Sequence, residues 1–263
     1  MSRSQQFRIV CTAMLLIIIP HSEVHSEDPA SQWTIMDRRE NIEVFSEFDP
    51  GMETLWMHLT SVQQEMQQQL DLRVTSDSIQ IVIFSSRRRY LQYLGDQIRD
   101  SRFRKAIFFR NEDVSQIYAY RSSELLTDLR HEFTHVILHQ NLPFVPLWID
   151  EGLAEFLETP PEERQNSNRI SGARWRARLG GITSLSDLES LPSASEMTAD
   201  NYRDSWTWVH FLLSDSTETR EIFQSYISTI ARGEAPGPFS RVFRTRVGSP
   251  ENRINSYFRK SRN

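Results

Sequence analysis

The feature that most constrains the fold is an amphipathic stretch in the middle of the chain, which includes LRHEFTHVILHQ at residues 129–140. At about 100° per residue, its apolar side chains form one helical stripe about 120° wide. The stripe consists of Leu125, Leu126, Leu129, Phe133, Val136 and Ile137. His131 and His135 lie together on the opposite side of the helix, about 40° apart. The segment therefore predicts a helix that packs on a core and presents two imidazoles on its other face.

The two histidines have the spacing of metal ligands. His131 and His135 are one turn apart, so both can reach one ion at roughly 2.0–2.1 Å. Glu132 points too far away to be an easy third ligand, but its carboxylate can contact a water on the ion. His139 lies roughly 12 Å along the axis from His131, so the two cannot bind the same ion. We expect His139 to be partly exposed and to stabilise the helix C-terminus. The alternative for the whole motif is an ordinary amphipathic helix with its polar side in solvent.

A catalytic zinc needs a third protein ligand and an open position. The segment LWIDEGLAEFLE, at 147–158, offers Asp150, Glu151 and Glu155 on a second helix that can return against the first. We expect Glu151 to bind the metal and Glu155 to accept a hydrogen bond from the ring N–H of His131, which would fix its tautomer. Gly152 would suit a close approach to the first helix. The alternative makes both glutamates solvated surface charges, although the helix is largely apolar.

LRHEFTHVILHQ followed by PLWIDEGLAEFLE resembles the gluzincin metallopeptidases, and most of all the exported bacterial group called peptidase MA-like. The similarity is specific at 129–158 and weaker at 201–213. It implies a zincin-like α+β fold in which a mixed sheet precedes the active-site helix and a helical half follows it. It also implies an edge strand that binds an extended peptide, which by position would be VSQIYAYR at 114–121.

The expected chemistry is hydrolysis of a peptide bond by a zinc-bound water. Zn²⁺ held by His131, His135 and Glu151 would lower the pKa of that water to about 7. Glu132 would act as general base and then pass the proton to the leaving amine. For the developing oxyanion we expect Tyr202 as donor, since its segment resembles the family's, with a rim aromatic as the alternative role. His210 is a second candidate donor, although its helix face favours a half-buried structural histidine.

The pattern of the remaining chain supports the same fold class. Strands are predicted at 41–48, 78–84, 105–110 and 114–121, the last two as a hairpin. Helices are predicted from Leu55 to Leu70 and at 86–98, 122–140, 146–158, 201–215, 218–233 and 250–258. The segment 159–172 is predicted to be a polar loop. Strands followed by helices indicate an α+β fold.

The N-terminal residues predict export. A polar start with two arginines precedes an apolar run at 9–19, which is too short to span a bilayer because a span needs roughly 20 residues. We expect residues 1–26 to be a signal peptide and 27–263 to be a single domain, with a sheet-containing half at 27–122 and a helical half at 123–263. Cleavage would remove Cys11, the only cysteine, so a zinc site would have to use histidines and carboxylates.

These features lead to a hypothesis about location and partners. The net charge of −5, with acids and bases interspersed, argues against nucleic acid as a partner. We expect a secreted or periplasmic zinc metallopeptidase that acts on a peptide or protein and has no stable membrane span after cleavage. The main alternative is a catalytically inactive zincin-fold binding protein of the cell envelope. Hydrolysis of a non-peptide amide is a third possibility, and the sequence does not indicate the oligomeric state.

Overall fold

The computed structural model describes residues 33–95, 105–111, 114–164 and 168–260. The expected signal peptide at 1–26 lies outside these residues. Glu112 and Asp113, at the turn of the expected hairpin, also lie outside them. Among the described residues, no helix combines the length and the apolar character that crossing a bilayer requires.

In the described part of the N-terminal half, five strands form one mixed sheet. They are β1 (Ile35–Arg39), β2 (Ile42–Ser46), β3 (Ser78–Phe84), β4 (Ala106–Asn111) and β5 (Val114–Tyr120). Their spatial order is β1-β2-β3-β5-β4. The β2–β3 and β3–β5 pairs are parallel, whereas β1 and β4 each add antiparallel to their neighbour. The strand β1 was not predicted, since none of its five residues is buried and it lacks the apolar pattern of a core strand.

The two faces of the sheet face different cores, because side chains alternate along a strand. On β3, Ile79, Ile81 and Ile83 belong to the main core, whereas Val82 and Phe84 belong to a smaller cluster on the opposite face. This two-sided burial explains why β3 is almost continuously apolar.

The helices mostly follow the sheet. They are α1 (Met52–Leu70), α2 (Arg87–Leu94), α3 (Leu125–Asn141), α4 (Leu147–Leu157), α5 (Pro161–Arg164), α6 (Asn168–Leu179), α7 (Leu185–Glu189), α8 (Ala199–Ser214), α9 (Thr217–Ala231), α10 (Phe239–Val247) and α11 (Pro250–Lys260). The main core is continuous from the sheet through α3 and α4 to α11. The prediction of an α+β fold with an N-terminal mixed sheet is therefore confirmed at this level.

The position of the edge strand was predicted wrongly. Residues 114–121 were expected at the edge, but β5 lies inside the sheet, between β3 and β4. The hairpin itself is present, with Asn111 opposite Val114. It folds so that β4 lies outside β5, which makes β4 the edge strand on this side among the described residues. Order along the chain does not determine order across a sheet.

The segment 159–172 was also predicted wrongly as a polar loop, because it contains α5 and the beginning of α6. Its polar residues have tertiary partners that the local pattern does not reveal. Arg164 of α5 is buried against Glu65 of α1 at 2.8 Å, and its guanidinium lies 4.0 Å from the ring centre of Phe156. The short helices α7 and α10 were missed as well.

Candidate metal centre

The candidate centre forms where α4 returns against α3. Nε2 of His131 lies 3.7 Å from Oε2 of Glu151, and Nε2 of His135 lies 3.9 Å from the same oxygen. The two imidazole rings are 5.0 Å apart, edge to face. The structure therefore brings together the three predicted ligands, which lie on two helices with 15 residues between His135 and Glu151.

These three side chains can hold a metal ion. Glu151 is buried, and its Oε2 has no hydrogen-bond partner among the described residues, although it faces two ring nitrogens. An unsatisfied buried carboxylate oxygen is costly, so it indicates a partner beyond the protein atoms. Ligands at 2.0–2.1 Å from a tetrahedral ion lie roughly 3.4 Å from one another, close to the separations in this group. Two histidines and one glutamate are also a donor set that zinc uses with an open fourth position.

Glu132 lies beside this group on α3 and is almost completely buried, with 6% of its surface exposed. It does not belong to the three ligand atoms that converge, as expected from its direction on the helix. Its negative charge acts on His131 and favours the protonated imidazole.

Glu158, and not Glu155, accepts the hydrogen bond of His131. Nδ1 of His131 lies 3.0 Å from Oε2 of Glu158, whereas Glu155 pairs with Arg169 at 2.7 Å. The prediction for Glu155 was therefore wrong. Helix geometry explains the difference, since Glu158 is about 20° from the direction of Glu151 and Glu155 is about 40° from it on the other side. This angular alignment was the signal in the sequence that could have identified Glu158.

Asp150 has the corresponding role for the second histidine. Its Oδ1 lies 2.6 Å from Nδ1 of His135, and its Oδ2 lies 2.9 Å from Nε2 of His139. His139 is in the last turn of α3 and partly exposed, as expected, but it also contacts this carboxylate. The sequence identified Asp150 only as a possible ligand and did not predict that it bridges two histidines.

Protonation of the group follows from these contacts. Burial disfavours a charge on His131, but the carboxylates of Glu151 and Glu158 raise its pKa well above the usual value. Burial likewise opposes protonation of His135, and Asp150 raises its pKa. Despite burial, the histidines lower the pKa of both Asp150 and Glu151. The metal-free group therefore favours imidazolium next to carboxylate, and a divalent cation would replace those protons.

The helix α8 packs closely against α4 at Gly152. A Cβ added to Gly152 would lie 2.7 Å from the carbonyl oxygen of Ser205 and 2.9 Å from Cγ2 of Val209. We had expected the close approach at Gly152 to be to α3, but it is to α8. Tyr202 is half-buried on α8, one turn before Ser205.

His210 has a mainly structural environment. Its ring stacks on Trp206 at 5.0 Å and contacts Phe258 at 5.8 Å, and its Nε2 lies 3.3 Å from the hydroxyl of Tyr257. Burial, with a smaller effect of Arg164, lowers its pKa to about 4. His210 is therefore a neutral histidine within an aromatic cluster, more deeply buried than the half-buried residue expected from the sequence.

A scan against protein-family models finds no match for this chain, and no curated protein matches it. The resemblance to the gluzincin peptidases therefore stays a prediction from the motifs.

Proposed function

We propose that this protein is an exported, zinc-dependent peptidase of zincin-like fold. The observation that carries the proposal is the buried Oε2 of Glu151, which faces the Nε2 atoms of His131 and His135 and has no hydrogen bond within the described part of the chain. The pattern of residues 1–26 supports a secreted or periplasmic location.

His131, His135 and Glu151 would hold the ion. When bound there, zinc would polarise a carbonyl group and lower the pKa of a water to about 7. Because the carboxylates of Glu158 and Asp150 lie against Nδ1, each ring would keep its proton there and would offer the lone pair of Nε2 to a bound ion.

Glu132 would perform the proton transfers. Its carboxylate would take a proton from the attacking water as the new C–O bond forms, and would deliver it to the amine nitrogen as the C–N bond breaks. The phenol of Tyr202 would donate a hydrogen bond to the carbonyl oxygen while negative charge develops there. This assignment of Tyr202 rests on the resemblance of its segment to the corresponding helix of the gluzincin group.

The substrate would be a peptide or protein bound in an extended conformation. The strand β4 lies at the sheet edge beside α3, where the ring of Phe108 is 5.7 Å from that of His139. An edge strand presents backbone N–H and C=O groups that can pair with an added peptide strand. In this proposal β4 takes the role that the sequence had suggested for β5.

A non-catalytic binding protein on the same scaffold is the second candidate. The observation that favours it is burial, because the side chains of His135 and Glu151 are only 8% and 6% exposed. The presence of Glu132 as a candidate general base favours the hydrolase. The set of three ligands favours it as well, because a purely structural zinc site would have four protein ligands.

Metal analysis and peptide digestion distinguish the two functions. We expect about one zinc per mature chain, and cleavage of a peptide library that stops with chelator and returns with zinc. The Glu132→Gln variant should keep the metal and lose hydrolysis by at least about 100-fold, since general-base catalysis contributes this much or more. Zinc without cleavage of any peptide would support the binding protein. Carefully purified protein without zinc would contradict both the metal centre and the mechanism.

A further inference from the structure

Arg169 connects two carboxylates beside the candidate metal centre. Its Nη2 donates to Oε1 of Glu158 at 2.6 Å, and its Nη1 lies 2.7 Å from Oε2 of Glu155. The same Nη1 also donates to the backbone carbonyl of Glu155 at 3.1 Å. The other carboxylate oxygen of Glu158 accepts from Nδ1 of His131 at 3.0 Å. A continuous chain of contacts thus runs from the first turn of α6 through the end of α4 to a ligand on α3.

The guanidinium occupies the place where a second cation could otherwise bind. His131, Glu155 and Glu158 have ligand atoms close enough to share an ion. Arg169 already contacts both of these carboxylates and offsets one of their two negative charges, which disfavours a second metal ion in this group. Its guanidinium also lies 5.8 Å from the ring centre of Trp206, which limits its movement on one side.

We propose that Arg169 is a positioning residue for the metal centre. By holding Glu158 in place, it fixes His131 as the Nδ1–H tautomer and directs Nε2 towards Glu151. The inference rests on the proposed function and adds to it a residue on α6, outside the two helices that carry the ligands. Arginine suits this role because its planar fork binds two acceptors at once, whereas lysine presents one point charge.

Zinc affinity tests the proposal independently of activity. We expect Arg169→Gln to weaken zinc binding by roughly 10- to 100-fold, as other outer partners of metal ligands do. Arg169→Lys should lie between Arg169→Gln and the unchanged protein. Arg178→Gln, which removes an exposed arginine of the same helix, should bind zinc as the unchanged protein does. Competition with a chromophoric chelator measures the dissociation constants.

Two further measurements separate positioning from general stability. The absorption spectrum of the Co²⁺-substituted protein should change in Arg169→Gln, because the geometry of His131 changes. The double variant Glu158→Gln/Arg169→Gln should bind zinc no more weakly than Glu158→Gln alone, since both act through one contact. If Arg169→Gln does not fold, the same two measurements on Arg169→Lys decide the matter.

The outcomes distinguish this inference from the proposed function. The role of Arg169 alone would be overturned if the unchanged protein binds zinc and a folded Arg169 variant has the same zinc affinity and the same Co²⁺ spectrum. A lack of zinc in the unchanged protein would overturn both.

Discussion

Each candidate histidine ligand uses its two ring nitrogens differently. Nε2 of His131 and of His135 faces Glu151, while Nδ1 contacts Glu158 in one case and Asp150 in the other. A carboxylate that accepts from Nδ1–H leaves the lone pair on Nε2 and makes the ring a better ligand. The centre is therefore defined by these two outer carboxylates as much as by its three ligands.

The contacts of Asp150 lead to a prediction at this scale. The Asp150→Ala variant should bind zinc roughly 10- to 100-fold more weakly, because His135 loses the acceptor that orients its ring. His139→Gln is the matched control, since it removes the other partner of Asp150 and leaves the contact with His135. The dissociation constants for zinc measure both effects. Equal weakening in the two variants would show that the contact with His135 is not the cause.

Among the elements, α4 connects the site to three other helices. Its successive residues face different neighbours: Asp150 and Glu151 face α3, Gly152 faces α8, and Glu155 contacts α6. Because α4 has neighbouring helices on several sides, it is almost wholly buried and is the most apolar of the helices near the site. A change on one of its sides is therefore expected to affect the others.

The contact between α4 and α8 can be tested with one methyl group. Gly152→Ala should lower the free energy of unfolding by roughly 1–3 kcal/mol, because the new Cβ meets the backbone of Ser205. Gly172→Ala is the control on α6, where a Cβ has no neighbour within 4 Å. There the change should stabilise the protein by about 0.5–1 kcal/mol through better helix propensity. Urea unfolding measures both values, and a stabilising Gly152→Ala would contradict the close packing.

Across the whole molecule, a buried charge network joins helices that are distant along the chain. Arg130, adjacent to the first histidine ligand, contacts Glu65 of α1 at 3.1 Å and the carbonyl of Leu157 at 2.8 Å. Arg164 of α5 contacts the second oxygen of Glu65 at 2.8 Å. One carboxylate therefore holds α1, α3 and α5 together beneath the site.

Removal of that carboxylate should be costly. The Glu65→Gln variant should lose roughly 3–5 kcal/mol of unfolding free energy, since two buried arginines then lack their counter-charge. Glu53→Gln is the control, because Glu53 pairs with Arg39 at 2.8 Å but is 84% exposed. An exposed pair contributes only about 0–1 kcal/mol, so this variant should unfold almost as the unchanged protein does. If Glu65→Gln and Glu53→Gln lost similar free energies of unfolding in chemical denaturation, that result would contradict a structural role of the network.

The sequence by itself determined what local periodicity encodes. The spacing of His131 and His135 placed two imidazoles on the face of α3 opposite its apolar stripe, and helix geometry excluded His139 as a ligand to the same ion. The strong periodicity of the long helices and of β3 similarly identified most of the α+β fold. Glu151 could be chosen because a second helix had to bring a carboxylate back to the first.

Only the tertiary structure decided how these elements meet. Whether β4 or β5 lies at the edge depends on pairing across the sheet, and the pairing of Glu155 and Glu158 with Arg169 depends on how α6 lies against α4. In the segment predicted as a loop, Arg164 of α5 pairs with Glu65 of α1, and Arg169 of α6 pairs with Glu155 and Glu158. Local pattern carries no information about partners that are far apart along the chain, and those partners position the outer side chains of the candidate metal centre.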